Sequence, residues 1–265
     1  MEEVYIKGSV FLSDVFEDLP NNVYLDKTNC GCGATTLALK NKVKYVVLVP
    51  SVYLVKNKTQ QNNSVFGFYG DIKSSELVAF LECGGEKVIA TYDSFNRLFD
   101  LLNAINDITK WKLLIDEAHN LRSGSGARHD ELLDWFSDNP DSHVLLLTAT
   151  PINNSLRDFV NQIQLAAKGK LESFPVIYPT ANKTETLDFF QAVDRLITDA
   201  NKAEKKGEKP DYAKANNIMR QGLSRFLVRT TRQGIEREFG GIKTADGEMK
   251  QFPKSIVRSA PYKFE

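Results

Sequence analysis

Five short apolar runs, rich in Val, Leu and Ile, punctuate the first 150 positions of the chain: residues 22–27 (NVYLDK), 44–50 (KYVVLVP), 87–92 (KVIATY), 112–118 (KLLIDEA) and 143–150 (HVLLLTAT). Their apolar positions are continuous and do not alternate with polar ones, the pattern of a strand covered on both faces. Segments of helical period separate them, so the predicted fold class is α/β: a parallel sheet with helices on both faces. Sheets of this kind carry their functional loops at the carboxyl ends of the strands. The clusters that close the five runs are residues 27–35, Pro50 with Ser51, Thr91 with Tyr92, Asp116 with Glu117, and residues 148–151. All are polar or turn-forming, and all are expected to face one crevice.

After Pro151 the pattern changes. Residues 154–168 place Leu156, Phe159, Val160, Ile163 and Leu165 at helical spacing, with Asn154 or Ser155 available as a cap. Residues 184–210 and 211–228 again show helical periodicity, interrupted by a lysine-rich break at 202–210. Residues 240–254 read as a turn-rich connector and 255–265 as a strand beginning where the chain stops. The expected organisation is an α/β domain over 1–165, a helical insertion packed on it over 166–239, and a connector with its strand over 240–265.

Composition narrows the setting more than the function. The apolar fraction of 42% in 265 residues supports a sizeable core. Lys plus Arg and Asp plus Glu number 34 each, so any nucleic-acid contact must come from a local patch and not from global charge. Cys30, Cys32 and Cys83 lack the paired spacing of a zinc site and are expected to be free thiols, which suits a reducing intracellular compartment such as the cytoplasm, a host cytoplasm if the protein is viral. No apolar run reaches the length of about 18 residues that a membrane helix needs.

Three stretches carry candidate chemistry. Residues 113–120, LLIDEAHN, are an apolar strand ending in two acids, and phosphate hydrolysis requires an aspartate at a strand tip to hold Mg²⁺ and a neighbouring carboxylate to orient water. Asp116 and Glu117 suit those roles in that order. Residues 145–154, LLLTATPINN, are a second buried strand leaving through Thr148, Ala149, Thr150 and Pro151, 32 residues further on. Residues 28–35 occupy the frame of a GxxxxGK[ST] phosphate loop, but Ala34 stands where lysine belongs and Thr28 replaces the first glycine.

In chain order, GCGATT, VLVPSVYLV, VIATYDSF, IDEAH and LTATP resemble motifs I, Ia, Ib, II and III of superfamily 2 helicases and translocases. LTATPINNSLRDFVNQIQLA and RFLVRTTRQGIEREFG, followed by FPKSIVRS, resemble the Swi/Snf branch in particular. The resemblance spans most of residues 20–265 and implies a RecA-like ATP-binding domain over 1–165, ATP and Mg²⁺ as cofactors, and DNA as partner, double-stranded and held by its backbone. It implies nucleotide contacts from Lys27, Asn29, Cys30, Gly31, Cys32, Gly33, Ala34, Thr35 and Thr36, with Thr35 and Asp116 at Mg²⁺ and Glu117 polarising the hydrolytic water. His119, Thr148, Ala149 and Thr150 would couple that site to DNA, which Ser51, Tyr53, Thr91 and Tyr92 would touch. A second RecA-like domain, expected to follow residue 265, would complete the cleft.

The sequence departs from that pattern at Ala34 and at Thr230, which replaces the second arginine of an Arg-Arg-Thr segment and leaves Arg229. Losing one charge-assisted phosphate contact removes about 1.5–3 kcal/mol of interaction. Where the contact strengthens in the transition state, the rate falls by about a hundredfold to a thousandfold. Backbone N–H groups of residues 31–35 still form an anion-binding concavity, and Lys27, just before the loop, is the nearest candidate for a replacement cation. Ala34 has two open origins: natural divergence, as in rapidly evolving viral or mobile-element enzymes, or an engineered lysine-to-alanine change. A non-hydrolysing scaffold that binds DNA or protein is the competing reading. A metabolic P-loop kinase would not need the Thr-Ala-Thr-Pro turn.

Overall fold

Burial explains why the apolar runs are continuous. The computed structural model describes residues 17–19, 21–27, 33–105, 110–123, 126–148, 156–170, 175–180, 183–223, 227–230, 242–243 and 249–250. Strands β1 (Val23–Lys27), β2 (Tyr45–Val49), β4 (Lys87–Thr91), β5 (Lys112–Ile115) and β6 (His143–Thr148) coincide with the five runs. Every residue of β2 and β4 is buried. Tyr45, Val47 and Val49 of β2 enter a core with α1 (Ala34–Lys40) and α2 (Val52–Gln60), whereas Val46 and Leu48 enter a second core on the opposite face. That second core is built by α3 (Ser74–Glu82), α4 (Phe95–Ile105), α5 (Ala127–Asp138) and α6 (Leu156–Ala166). Because neither face of the sheet meets water, neither can tolerate an alternating polar position.

Two further strands extend the sheet. β3 (Phe66–Phe68) pairs with β4, and β9 (Leu227–Thr230) pairs with β1, giving the order β3-β4-β2-β5-β6-β1-β9 with every pair parallel. β3 is only three residues long and offers no periodicity. Residues 227 and 228 fell inside an expected helix, but the helix there, α8 (Tyr212–Leu223), stops earlier and 227–230 pair with the free edge of β1. The insertion expected over 166–239 therefore gives four residues back to the main sheet, because an unpaired edge offers a ladder of hydrogen bonds that local propensity does not encode.

Within that insertion, residues 184–188 were also expected to be helical. They form β8 (Thr184–Asp188), antiparallel to β7 (Pro175–Pro179), and α7 (Phe189–Lys205) begins only after Asp188, whose side chain accepts from Phe190 N at 2.9 Å. The connector over 240–254 contains a short antiparallel pair, β10 (Ile242–Lys243) with β11 (Met249–Lys250). The caps Asn154 and Ser155 and the strand expected over 255–265 lie outside the described residues. Phe159, Val160, Ile163 and Leu165 of α6 are buried as their spacing predicts.

α7 and α8 pack closely because Gly222 has no side chain. A Cβ there would lie 2.0 Å from the ring of Phe189, which is fully buried. Gly222→Ala is expected to destabilise the protein by about 1–3 kcal/mol through overpacking, measured by chemical denaturation.

At the amino edge of the sheet, Asp18 gathers polar groups from the starts of β2 and β5. It accepts from Tyr45 Oη at 2.6 Å, from Asn41 Nδ2 at 2.8 Å and from Lys112 Nζ, and Asn41 Oδ1 in turn accepts from Lys87 Nζ at 2.8 Å. Burial pushes the Asp18 carboxyl up, but the hydrogen bonds from Lys112 and Tyr45 outweigh it and hold the group below its ordinary value. A carboxylate with a depressed folded pKa contributes stability above the unfolded pKa, near 4, and loses it as pH falls through the folded one. Asp18→Asn is therefore expected to lower the melting temperature at pH 7, with the gap to the parent protein closing below about pH 4.

Candidate functional site

At the opposite, carboxyl edge, α1 starts immediately after Gly33, whose φ of 80° lies in the left-handed region that glycine adopts without strain. Ala34 is 3% exposed and packs with Leu37 and Ala38, while Thr35 is half-buried and Thr36 is exposed. Thr35 Oγ1 donates to Asp116 Oδ2 at 3.1 Å, across 81 residues of sequence. Asp116 is held by its own backbone, since its N–H donates to Leu48 O at 2.9 Å and so continues the pairing of β5 with β2. Its other oxygen, Oδ1, accepts from Glu117 N at 3.0 Å.

Glu117 adopts φ 55° and ψ 46°, a left-handed conformation that a non-glycine residue takes only when its surroundings impose it. The surroundings are visible. Glu117 O accepts from Asn120 Nδ2 at 2.9 Å, from Asn120 N at 3.0 Å and from Tyr92 Oη at 3.2 Å, and Tyr92 Oη also donates to Asp116 O. The turn throws the Glu117 side chain toward His119, whose Nδ1 lies 3.3 Å from Glu117 Oε2 and 3.1 Å from Thr148 Oγ1 at the tip of β6. A second tie runs to α6: Arg122 donates to His119 O at 3.1 Å, and Asn161 Nδ2 donates to Arg122 O at 2.8 Å.

Thr35, Asp116, Glu117, His119 and Thr148 are thus brought into one contact chain. Lys27 ends β1 on the same edge, one residue beyond the Asp26–Thr148 pair and opposite Thr230 of β9. Asn29, Cys30, Gly31, Cys32, Ala149 and Thr150 lie outside the described residues.

Of the four residues expected at a polynucleotide, two keep that possibility. Tyr53 is 74% exposed, beside an exposed Val52, and half-buried Ser51 caps α2 by accepting from Leu54 N at 3.4 Å. Thr91 and Tyr92 are instead 5% and 4% exposed, and their hydroxyls are engaged internally, Thr91 with Ser94 Oγ at 3.0 Å and Tyr92 with the acidic turn. A strand end reads as exposed in sequence, but the 3-10 turn Tyr92–Ser94 folds these side chains back under α4 and β5. Sequence reasoning also missed Asn120, Arg122 and Asn161, and only the position of Asn120 directly after the acidic run could have suggested one of them.

The donor set suits a hard cation. A hydroxyl and a carboxylate oxygen already 3.1 Å apart are the two protein ligands that Mg²⁺ commonly takes beside phosphate oxygens and water. Among the described residues no group of three His, Cys, Asp or Glu side chains is placed to hold a metal ion by itself.

The SNF2-related domain family model matches residues 43–244, about three quarters of the chain. The chain belongs to the SNF2-related domain family. Within the matched span of this SNF2-related domain lie Asp116, Glu117, His119 and Thr148, whereas Thr35 and the loop before it precede it. A curated relative, a "Putative ATP-dependent RNA helicase" of Acanthamoeba polyphaga mimivirus, is 28% identical over 102 residues, covering 37% of this chain and 18% of the relative. Among solved structures, the Sulfolobus solfataricus SWI2/SNF2 ATPase core in complex with dsDNA matches at a TM-score of 0.48 and 16% identity, covering 88% of this chain and 46% of that one. The Pyrococcus furiosus Hef helicase domain matches at a TM-score of 0.40 and 18% identity, covering 57% and 32% respectively. The SNF2-related domain described here thus spans less than half the length of each of these three.

Proposed function

We propose that the chain is the ATP-binding first motor domain of an ATP-dependent, Swi/Snf-like DNA translocase or helicase, with a DEAH-type acidic strand and a phosphate loop that lacks its lysine. The observation that carries this reading is the contact between Thr35 and Asp116 beside a strained Glu117, in a chain of the SNF2-related family. Residues 81 positions apart meet at the one edge where parallel sheets present their loops.

In this reading Thr35 Oγ1 and Asp116 hold Mg²⁺, which when bound neutralises charge on the phosphate oxygens. Glu117 accepts a proton from the attacking water through its carboxylate and passes it toward His119. His119, shared between Glu117 Oε2 and Thr148 Oγ1, reports the state of that carboxylate to the tip of β6 and onward to the turn that follows. Polynucleotide is held by its backbone at Ser51 and Tyr53, without base recognition. A second RecA-like domain supplies the other wall of the cleft and the cations that this domain lacks at Ala34.

Phosphate contacts do not separate DNA from RNA, and the mimivirus relative carries an RNA helicase description. DNA is preferred here because residues 147–166 resemble the Swi/Snf continuation of the Thr-Ala-Thr-Pro turn. The test is ATP hydrolysis by the full-length protein with double-stranded DNA, single-stranded DNA or RNA, against a Glu117→Gln background. Stimulation by duplex DNA supports the proposal, stimulation by RNA alone reassigns the partner, and no turnover above background returns the domain to a binding scaffold.

A further inference from the structure

We infer that Tyr92 is a positioning residue for hydrolysis: its phenol grips the backbone carbonyls of Asp116 and Glu117 and holds the acidic turn in the left-handed conformation that aims the Glu117 carboxylate. The inference rests on the reading of Glu117 as the residue that activates water.

Its support is geometric. One hydroxyl serves both carbonyls, donating to Asp116 O and lying 3.2 Å from Glu117 O, so it bridges the two peptide planes that flank the Glu117 Cα and whose relative orientation sets its φ and ψ. Glu117 sits at φ 55°, and a non-glycine residue stays there only under external restraint. Asn120 supplies part of that restraint from within the same turn, whereas Tyr92 supplies it from the turn after β4, beside the ties that Leu48 O and Thr148 Oγ1 make between this loop and the sheet. The ring itself cannot swing away: it is 4% exposed, packs in the core beside Phe95 and Leu121, and has the Arg128 guanidinium 6.0 Å from its centroid. Tyr92 is also the first residue of the turn after β4, with Asp93 of that turn paired to Arg128. The grip therefore ties this loop rigidly to the hydrolytic one.

Tyr92→Phe removes the hydroxyl and keeps the ring. Tyr45→Phe is the control, since Tyr45 is equally buried and bonded to a carboxylate, Asp18, but at the far edge of the sheet. In the full-length protein, Tyr92→Phe is expected to lower kcat for ATP about tenfold with KM within about twofold, and to have no further effect in a Glu117→Gln background. Amide exchange at Glu117 and Asn120, whose N–H groups bond within the turn, is expected to accelerate about tenfold. Tyr45→Phe is expected to lower stability without moving either readout. Unchanged exchange at both amides, unchanged kcat in a protein that turns over, or equal changes in Tyr45→Phe overturns the inference. Absence of turnover above the Glu117→Gln background removes the motor reading alone, and the exchange result still decides whether Tyr92 holds the turn.

Discussion

Glu117→Gln is expected to lower ATP turnover by about a hundredfold to ten-thousandfold while leaving nucleotide affinity within about threefold. The change keeps the shape of the side chain and the three hydrogen bonds that Glu117 O accepts from Asn120 and Tyr92, because those use the Glu117 carbonyl and not its carboxylate. It removes only the negative charge that accepts the proton of water. Thr35 and Asp116, the residues that would hold Mg²⁺ and phosphate, stay paired. Phosphate release measured at saturating ATP, alongside equilibrium binding of labelled nucleotide, separates the two quantities. Turnover within about threefold of the parent protein would remove Glu117 from the reaction and leave the left-handed turn without a catalytic purpose.

The second large effect runs in the opposite direction: Ala34→Lys is expected to raise turnover by about a hundredfold, as a restored electrostatic stabiliser of the transferred phosphoryl group. Ala34 is 3% exposed and belongs to the core with Leu37 and Ala38, which at first argues against a longer side chain. Side chains at the start of a helix lean toward its amino terminus, however, so a lysine stem leaves the core along the loop and brings its ammonium to the phosphate position. A melting temperature measured in parallel checks that the core has not been disturbed. If turnover does not rise, the comparison with Lys27→Ala becomes decisive. Loss of turnover in Lys27→Ala with nucleotide still bound assigns the missing charge to Lys27, at the end of β1.

Much of this architecture was legible because the central strands are buried on both faces. Continuous apolar runs located β1, β2, β4, β5 and β6 to within three residues at each end, since positions covered by helices on both sides are mostly apolar and the buried polar ones, Lys87, Thr91 and Thr148, fall at strand ends. The same logic failed at β3 and β9. A three-residue strand has no period, and residues 227–230 become a strand only because β1 offers them an open edge. Residues 184–188 failed for a related reason: Thr and Glu are compatible with a helix start, and only pairing with β7 makes them extended.

At the candidate site, residue types and strand-end positions pointed to Thr35, Asp116, Glu117, His119 and Thr148, and these five do meet. The same rule misplaced Thr91 and Tyr92, because being last in a strand does not say whether the following turn carries a side chain outward or back beneath its neighbours. For Tyr92 the answer is inward, onto the carbonyls of the acidic turn.

The sequence by itself determined the sheet class, the identities of the acids and hydroxyls, and the alanine at 34, because each is a property of local composition and period. Tertiary structure alone decided which of those groups touch, that Glu117 is held left-handed, and that β9 closes the sheet beside β1. Those are relations between segments tens of residues apart, and hydrogen bonds across such separations leave no period in the chain that makes them.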